Sequence, residues 1–183
     1  MNRGTAFASI MVFVALTACR TVPNAEQIAV VDSLITSMEA ANLTLNELDL
    51  DRYYRASMIL QKDSSRFKQR FSDTLDRASA MTLAGHYVHL QQAEHMALDH
   101  QQVYSATAEA TNRLKDLRND LFSGALDESN STNAISLERL KAEQLSEMVH
   151  QVITNYRTMQ TVLANQAAVD SVLSGHEDKL LQR

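Results

Sequence analysis

From His86 to Leu121 one side of the chain repeats in strict steps of three and four. The positions are His86, His89, Ala93, Met96, His100, Val103, Thr107, Ala110, Leu114, Leu117 and Leu121. Such a seam holds one face of a helix toward a partner and cannot serve the two-residue period of a strand. It repeats at Ile135, Glu138, Ala142, Leu145, Val149, Val152, Tyr156, Met159, Leu163, Gln166, Asp170 and Leu173. Between the two lies "FSGALDESNSTN", where Gly124 suits a turn and Asn133 an N-cap. Helices joined by so short a connection pack antiparallel. One register satisfies both seams: Leu114 against Leu145, Ala110 against Val149, Val103 against Tyr156 and Met96 against Leu163. The same register sets His100 against Met159 and His89 against Asp170. The expected arms, 86–122 and 134–181, are each about 55 to 70 Å long at 1.5 Å per residue.

The rest of the chain supports an all-α, elongated antiparallel bundle built on that coiled-coil hairpin. Only four Gly and one Pro occur in 183 residues, and Pro23 lies near the start, so strand-turn punctuation is scarce. Ile28, Val31, Leu34, Ile35, Met38, Leu45 and Leu48 carry the rhythm of an earlier helix. Asp51 then suits the cap of a second helix bearing Tyr54, Met58, Phe67, Phe71, Leu75, Ala78 and Met81. Gly85 is placed either to end that helix or to be run through. Both early helices are expected to lie along the hairpin.

The opening "MNRGTAFASIMVFVALTAC" has a positive start at Arg3 and an apolar run, Ala6 to Ala18, too short to remain as a membrane span. Leu16-Thr17-Ala18-Cys19 resembles the lipobox of bacterial lipoproteins. The resemblance implies cleavage before Cys19, a diacylglyceryl group on its thiol, and an acyl chain such as palmitate on the new amino terminus. Cys19 is the single cysteine, so no intramolecular disulfide competes for it. Several acyl chains, at about 0.8 kcal/mol per buried methylene, would anchor the chain durably. An ordinary signal peptide with a chance cysteine is the alternative. The expected organisation is a signal peptide at 1–18, a lipidated tether at 19–24 and a bundle at 25–183. Arg20, in place of Asp, resembles the outer-membrane address of enterobacterial lipoproteins.

"LTLNELD", "RFSDTLDRASAM" and "LKDLRNDLFSGALD", followed by a long terminal helix, resemble uncharacterised all-helical lipoproteins of Bacteroidota-type envelopes. That resemblance implies fold and address and brings no catalytic residue or activity with it. Arg20 departs from the acidic residues that mark surface export there, which favours a position facing the periplasm. The major murein lipoprotein is a loose analogue. Its attachment lysine has no counterpart in the terminal "DKLLQR".

Four of the six histidines fall in "HYVHLQQAEHMALDH", residues 86 to 100. His86, His89 and His100 share the seam, and His86 with His89 at i,i+3 is a spacing that two metal ligands can use. No Cys-x-x-Cys-His haem signature occurs. The plainer reading is polar seam packing, with imidazoles hydrogen-bonded to partners such as Asp170. "EMVH", Glu147 to His150, matches half of a di-iron motif, but its second copy is missing and its heptad positions face away from the seam. "RFKQRF" interleaves Arg66, Lys68 and Arg70 with Phe67 and Phe71, as a strip for anionic headgroups or glycans would. As an amphipathic helix, its phenylalanines would pack inward and its charges would meet water.

The net charge of −5 argues against non-specific nucleic-acid binding, and no nucleophile–base pair or phosphate loop is visible. The leading expectation is a non-enzymatic, outer-membrane-anchored periplasmic protein with a structural or interaction role and no cofactor beyond lipid on Cys19. Its partner would be an envelope protein or a second copy of the chain. A metal-binding or sensing module on His86, His89 and His100 is the first alternative. A lipid- or glycan-binding bundle is the second.

Overall fold

A computed structural model describes residues 24–70 and 76–181; the side chains of 67–70 and 176–181 are not described. Among the described residues six helices follow one another with no strand. They are α1 (Ala25–Asn46), α2 (Asp51–Arg70), α3 (Arg77–Gln91), α4 (Ala93–Ser123), α5 (Glu128–Ala164) and α6 (Gln166–Leu181). The class is all-α, as the heptads require.

The two seams form the frame. Met96, His100, Val103, Thr107, Ala110, Leu114, Leu117 and Leu121 are all buried on α4, as are Ile135, Ala142, Leu145, Val149, Val152, Tyr156 and Met159 on α5. The seam is nevertheless not a two-helix interface. Ile28, Val31, Ile35, Met38 and Leu45 of α1 enter the same core, so three helices share it. α1 is the one described helix that is long and apolar enough to cross a membrane, by length and composition alone (22 residues, mean hydropathy 1.3). Here its apolar side is bundle core, and its other side carries polar ties. Asn42 donates from Nδ2 to Thr107 Oγ1 (2.9 Å) and to the Tyr104 carbonyl (3.1 Å), which accounts for a buried threonine in an apolar seam. Asp32–Arg118 (2.6 Å) and Glu39–Lys115 (2.7 Å) are largely exposed ion pairs and each contributes at most about 1 kcal/mol.

Several local expectations are corrected. The hairpin turn is shorter than its polar composition suggests. α4 ends at Gly124, in the left-handed region at φ 73°, with Ala125 N–H reaching the Asp120 carbonyl (3.0 Å) in a Schellman pattern. α5 then starts at Glu128, because Asp127 caps it by accepting the Asn130 N–H (2.8 Å); Asn133 lies inside the helix. The second helix is capped not by Asp51 but by Asp49, whose Oδ1 accepts the Asp51 N–H (3.0 Å). α2 is also rotated by one residue relative to the expected face. Tyr54 and Met58 are 66% and 53% exposed, whereas Tyr53, Ala56 and Asp63 are buried. Met81 of α3 is likewise exposed.

Gly85 ends nothing: α3 runs through it. α3 begins instead at Arg77, capped by Asp76, whose carboxylate accepts the Ser79 N–H (3.0 Å) and hydroxyl (2.7 Å). The hydrogen bond of Tyr87 with Asp63 and the contact of His100 with Tyr53 pair rising with falling residue numbers, so α2 runs antiparallel to α3 and α4. Both long arms are interrupted, α3 from α4 at Gln92 (ψ −7°) and α5 from α6 at Asn165 (ψ −1°). Around the second break the buried positions shift by one residue, from the expected Leu163 and Asp170 to Val162 and Val169, and they return to the expected seam at Leu173.

Candidate functional site

The histidine run divides between two environments. His100 is buried among aromatic rings where α1, α2, α4 and α5 meet. Its Nε2 lies 2.9 Å from the Leu45 carbonyl at the end of α1. A carbonyl only accepts, so Nε2 carries the proton, and Nδ1 is buried with no hydrogen-bond partner. Tyr53 meets the ring edge-on at 6.2 Å and meets Tyr156 in the same way at 6.2 Å. Arg52 covers Tyr156 at 4.9 Å, and the Tyr156 hydroxyl accepts the Asp49 N–H (3.2 Å). Burial holds the His100 pKa below its ordinary value, opposed by the Leu45 hydrogen bond. Burial, with Tyr156 and Asp99 nearby, pushes the Tyr53 phenol up to about 12. Both rings are thus neutral near pH 7.

A pH dependence follows. An unfolded imidazole takes up a proton near pH 6.5, and the buried one does so only at lower pH. The stability contributed by neutral His100 is complete above about pH 6.5 and is lost as pH falls below it. The parent protein should therefore lose melting temperature more steeply on acidification than His100→Gln, whose amide can still donate to Leu45. Parallel thermal melts across that window check this, and equal slopes would show that His100 is not the group responsible.

His86 and His89 lie elsewhere, on α3, with His86 about 21 Å along the axis from His100 at 1.5 Å per residue. Both border an open recess of about 550 Å³ between α3, α5 and α6, whose wall includes Thr82, Gly85, Thr161 and Asn165. His86 Nε2 is 2.8 Å from Gln166 Oε1. Gln166 Nε2 in turn reaches Asp170 Oδ1 (3.2 Å) and, more distantly, Asp63 Oδ2 (3.4 Å). Asp63, on α2, is fully buried. It accepts the Tyr87 hydroxyl at 2.6 Å and stands 3.6 Å from the Arg66 guanidinium, which also reaches Asp170 at 3.3 Å. Burial first, and the bond to Asp63 second, push the Tyr87 phenol far up, so it acts as a donor at any ordinary pH.

Several expectations change here. Asp170 partners Arg66 and Gln166, and it is His86 that engages α6, through Gln166. His100 does not join His86 and His89 as a third ligand, and no group of three His, Cys, Asp or Glu converges among the described residues. Arg66 turns into the polar network rather than toward water; the side chains of Phe67, Lys68 and Arg70, and all of Phe71, lie outside the described residues. His95 pairs with Asp99 at 3.8 Å on the surface, and Glu147 and His150 are exposed, as their heptad positions require. Cys19 lies outside the described residues. The Asp63–Tyr87–Gln166 network has almost no signature in the sequence. Its one trace is the stripe Tyr53, Ala56, Leu60, Asp63, which brings a carboxylate onto a core face.

Compared with family models, with curated proteins and with solved structures, this chain gives no match.

Proposed function

We propose that this chain is a lipoprotein of a bacterial envelope, anchored in the outer membrane through Cys19 and facing the periplasm. Its helical bundle has a non-catalytic, structural or protein-interaction role. The observation that carries this reading is Leu16-Thr17-Ala18-Cys19 at the end of a short apolar run, with Cys19 the only thiol in the chain. A bundle that starts at Ala25 is compatible with it, since a folded unit so close to an anchored cysteine stays beside the membrane. The long shared core of α1, α4 and α5 suits a stiff element that presents surfaces to partners.

Fractionation of cells making the parent chain and Cys19→Ala provides the test. The parent should incorporate labelled palmitate and sediment with outer membranes, and the variant should be unlabelled and soluble. An unlabelled parent, or a variant that remains with the membrane, would overturn the lipid anchor.

A further inference from the structure

The start of α1 fixes which end of the bundle a tether leaves from. Asn24, the first described residue, sits in the left-handed region (φ 61°) and donates from Nδ2 to the Leu121 carbonyl (3.3 Å). Leu121 belongs to the last turn of α4, beside Gly124 and the start of α5. The start of α1 is therefore held at the α4–α5 hairpin tip, not at the end that carries the recess. From Cys19 to Asn24 the chain spans at most about 18 Å fully extended, at up to 3.6 Å per residue. A lipid on Cys19 thus leaves the hairpin tip within one short tether of the bilayer.

The tip presents a suitable group. Phe122 is 58% exposed at the end of α4, one residue before the helix stops. Aromatic rings bury well at the boundary of headgroups and acyl chains. Among the described residues, the charged groups at this end that carry no ion pair to another helix are acidic and exposed: Glu26, Asp120, Asp127 and Glu128. The nearest cations in α4, Lys115 and Arg118, already pair with Glu39 and Asp32 of α1. An apolar ring among carboxylates fits a zwitterionic lipid surface and is repelled by an anionic one.

We propose that the α4–α5 hairpin tip is a lipid-contacting surface, with Phe122 set into the headgroup region and the bundle standing upright on it. The proposal rests on the lipid-anchor reading above. It puts the His86–His89 recess about 50 Å from the membrane, since 35 residues at 1.5 Å each separate His86 from Leu121.

The chain contains no tryptophan, so Phe122→Trp, Leu98→Trp and Val88→Trp each create a single reporter at the tip, mid-bundle and far end. All three positions are exposed, and each substitution leaves the core untouched. Mature protein would be reconstituted into phosphatidylcholine vesicles with bromine-labelled acyl chains, and its intact mass measured to establish lipidation. The Phe122→Trp reporter should show a blue-shifted emission and quenching several-fold stronger than the reporter of either other variant. Its quenching should weaken when phosphatidylglycerol is added at low salt. Equal quenching in Phe122→Trp and Leu98→Trp would mean a bundle lying flat. An unquenched reporter in Phe122→Trp would leave the tip in water. Either result overturns the proposal. A mass without lipid would instead sink the anchor reading. The geometry is then tested on the chain from Cys19 onward, coupled through that thiol to maleimide-lipid vesicles, with the same two overturning results.

Discussion

Asp63→Ala is expected to loosen the end of the molecule built from α2, α3 and α6 while leaving the three-helix core intact. Among the described residues the apolar cluster there has three buried members, Leu83, Val169 and Leu173. Much of the docking therefore falls to Asp63, which accepts from Tyr87, receives Gln166 and faces Arg66. Alanine removes the 2.6 Å acceptor of the half-buried Tyr87 hydroxyl, the longer of two contacts of the Gln166 amide and one of the carboxylates that face Arg66. Removing one partner of such a buried set costs about 3 kcal/mol, or roughly 100-fold in a local opening equilibrium. Amide exchange should accelerate by that order in α3 and the first turns of α6. Protection in α1 and in α4 from Val103 onward should be nearly unchanged. Acceleration spread evenly over all helices would show that this end does not open by itself. Unchanged exchange in α6 would show that the network does not dock it. Tyr87→Phe, which deletes only the donor, should give a smaller effect of the same pattern.

The second large effect belongs to the shared core. Leu114 is 1% exposed and lies in the cluster with Ile28, Val31 and Ile35 of α1 and with Ala142, Leu145 and Val149 of α5. Leu114→Ala should cost about 3 kcal/mol through lost transfer energy and the cavity left behind. It acts on three helices at once, so the loss should appear as a lower urea midpoint with an unchanged slope. Phe122→Ala is the internal comparison, because its exposed ring contributes little to folding in solution. A Leu114→Ala loss no greater than that of Phe122→Ala would mean that α1 does not share the core of the hairpin.

The His100 and Asp63 sites have different origins in the chain. His100 stands in the seam by its spacing, and its burial was legible from the heptad alone. Its partners were not. The Leu45 carbonyl lies 55 residues away, and Tyr53 belongs to a helix whose rotation the local pattern left ambiguous. Tyr53 and Tyr54 start equally acceptable helical stripes. The Tyr54 stripe carries Met58 and then meets Gln61 and Lys62. The Tyr53 stripe runs to Asp63, a residue that a purely apolar criterion rejects. The choice went to Tyr53 because Tyr87, Gln166 and Arg66 are on hand to satisfy the carboxylate. Burial of a polar group is decided by its partners, not by its own hydropathy.

What the sequence determined by itself is the all-α class, the identity of the two long arms and the buried face of α4 and most of α5. These follow from a local period that specifies both the helix and its apolar side. What only the tertiary structure decided is the entry of α1 into the seam, the rotation of α2, the breaks at Gln92 and Asn165, and the Asp63 network. The hydrogen bonds of that network join residues as far apart as 24 and 103 positions in the chain. A local period can state that a short helix exists. Only the neighbours that it meets can state which of two similar faces it turns inward and which polar groups it can bury.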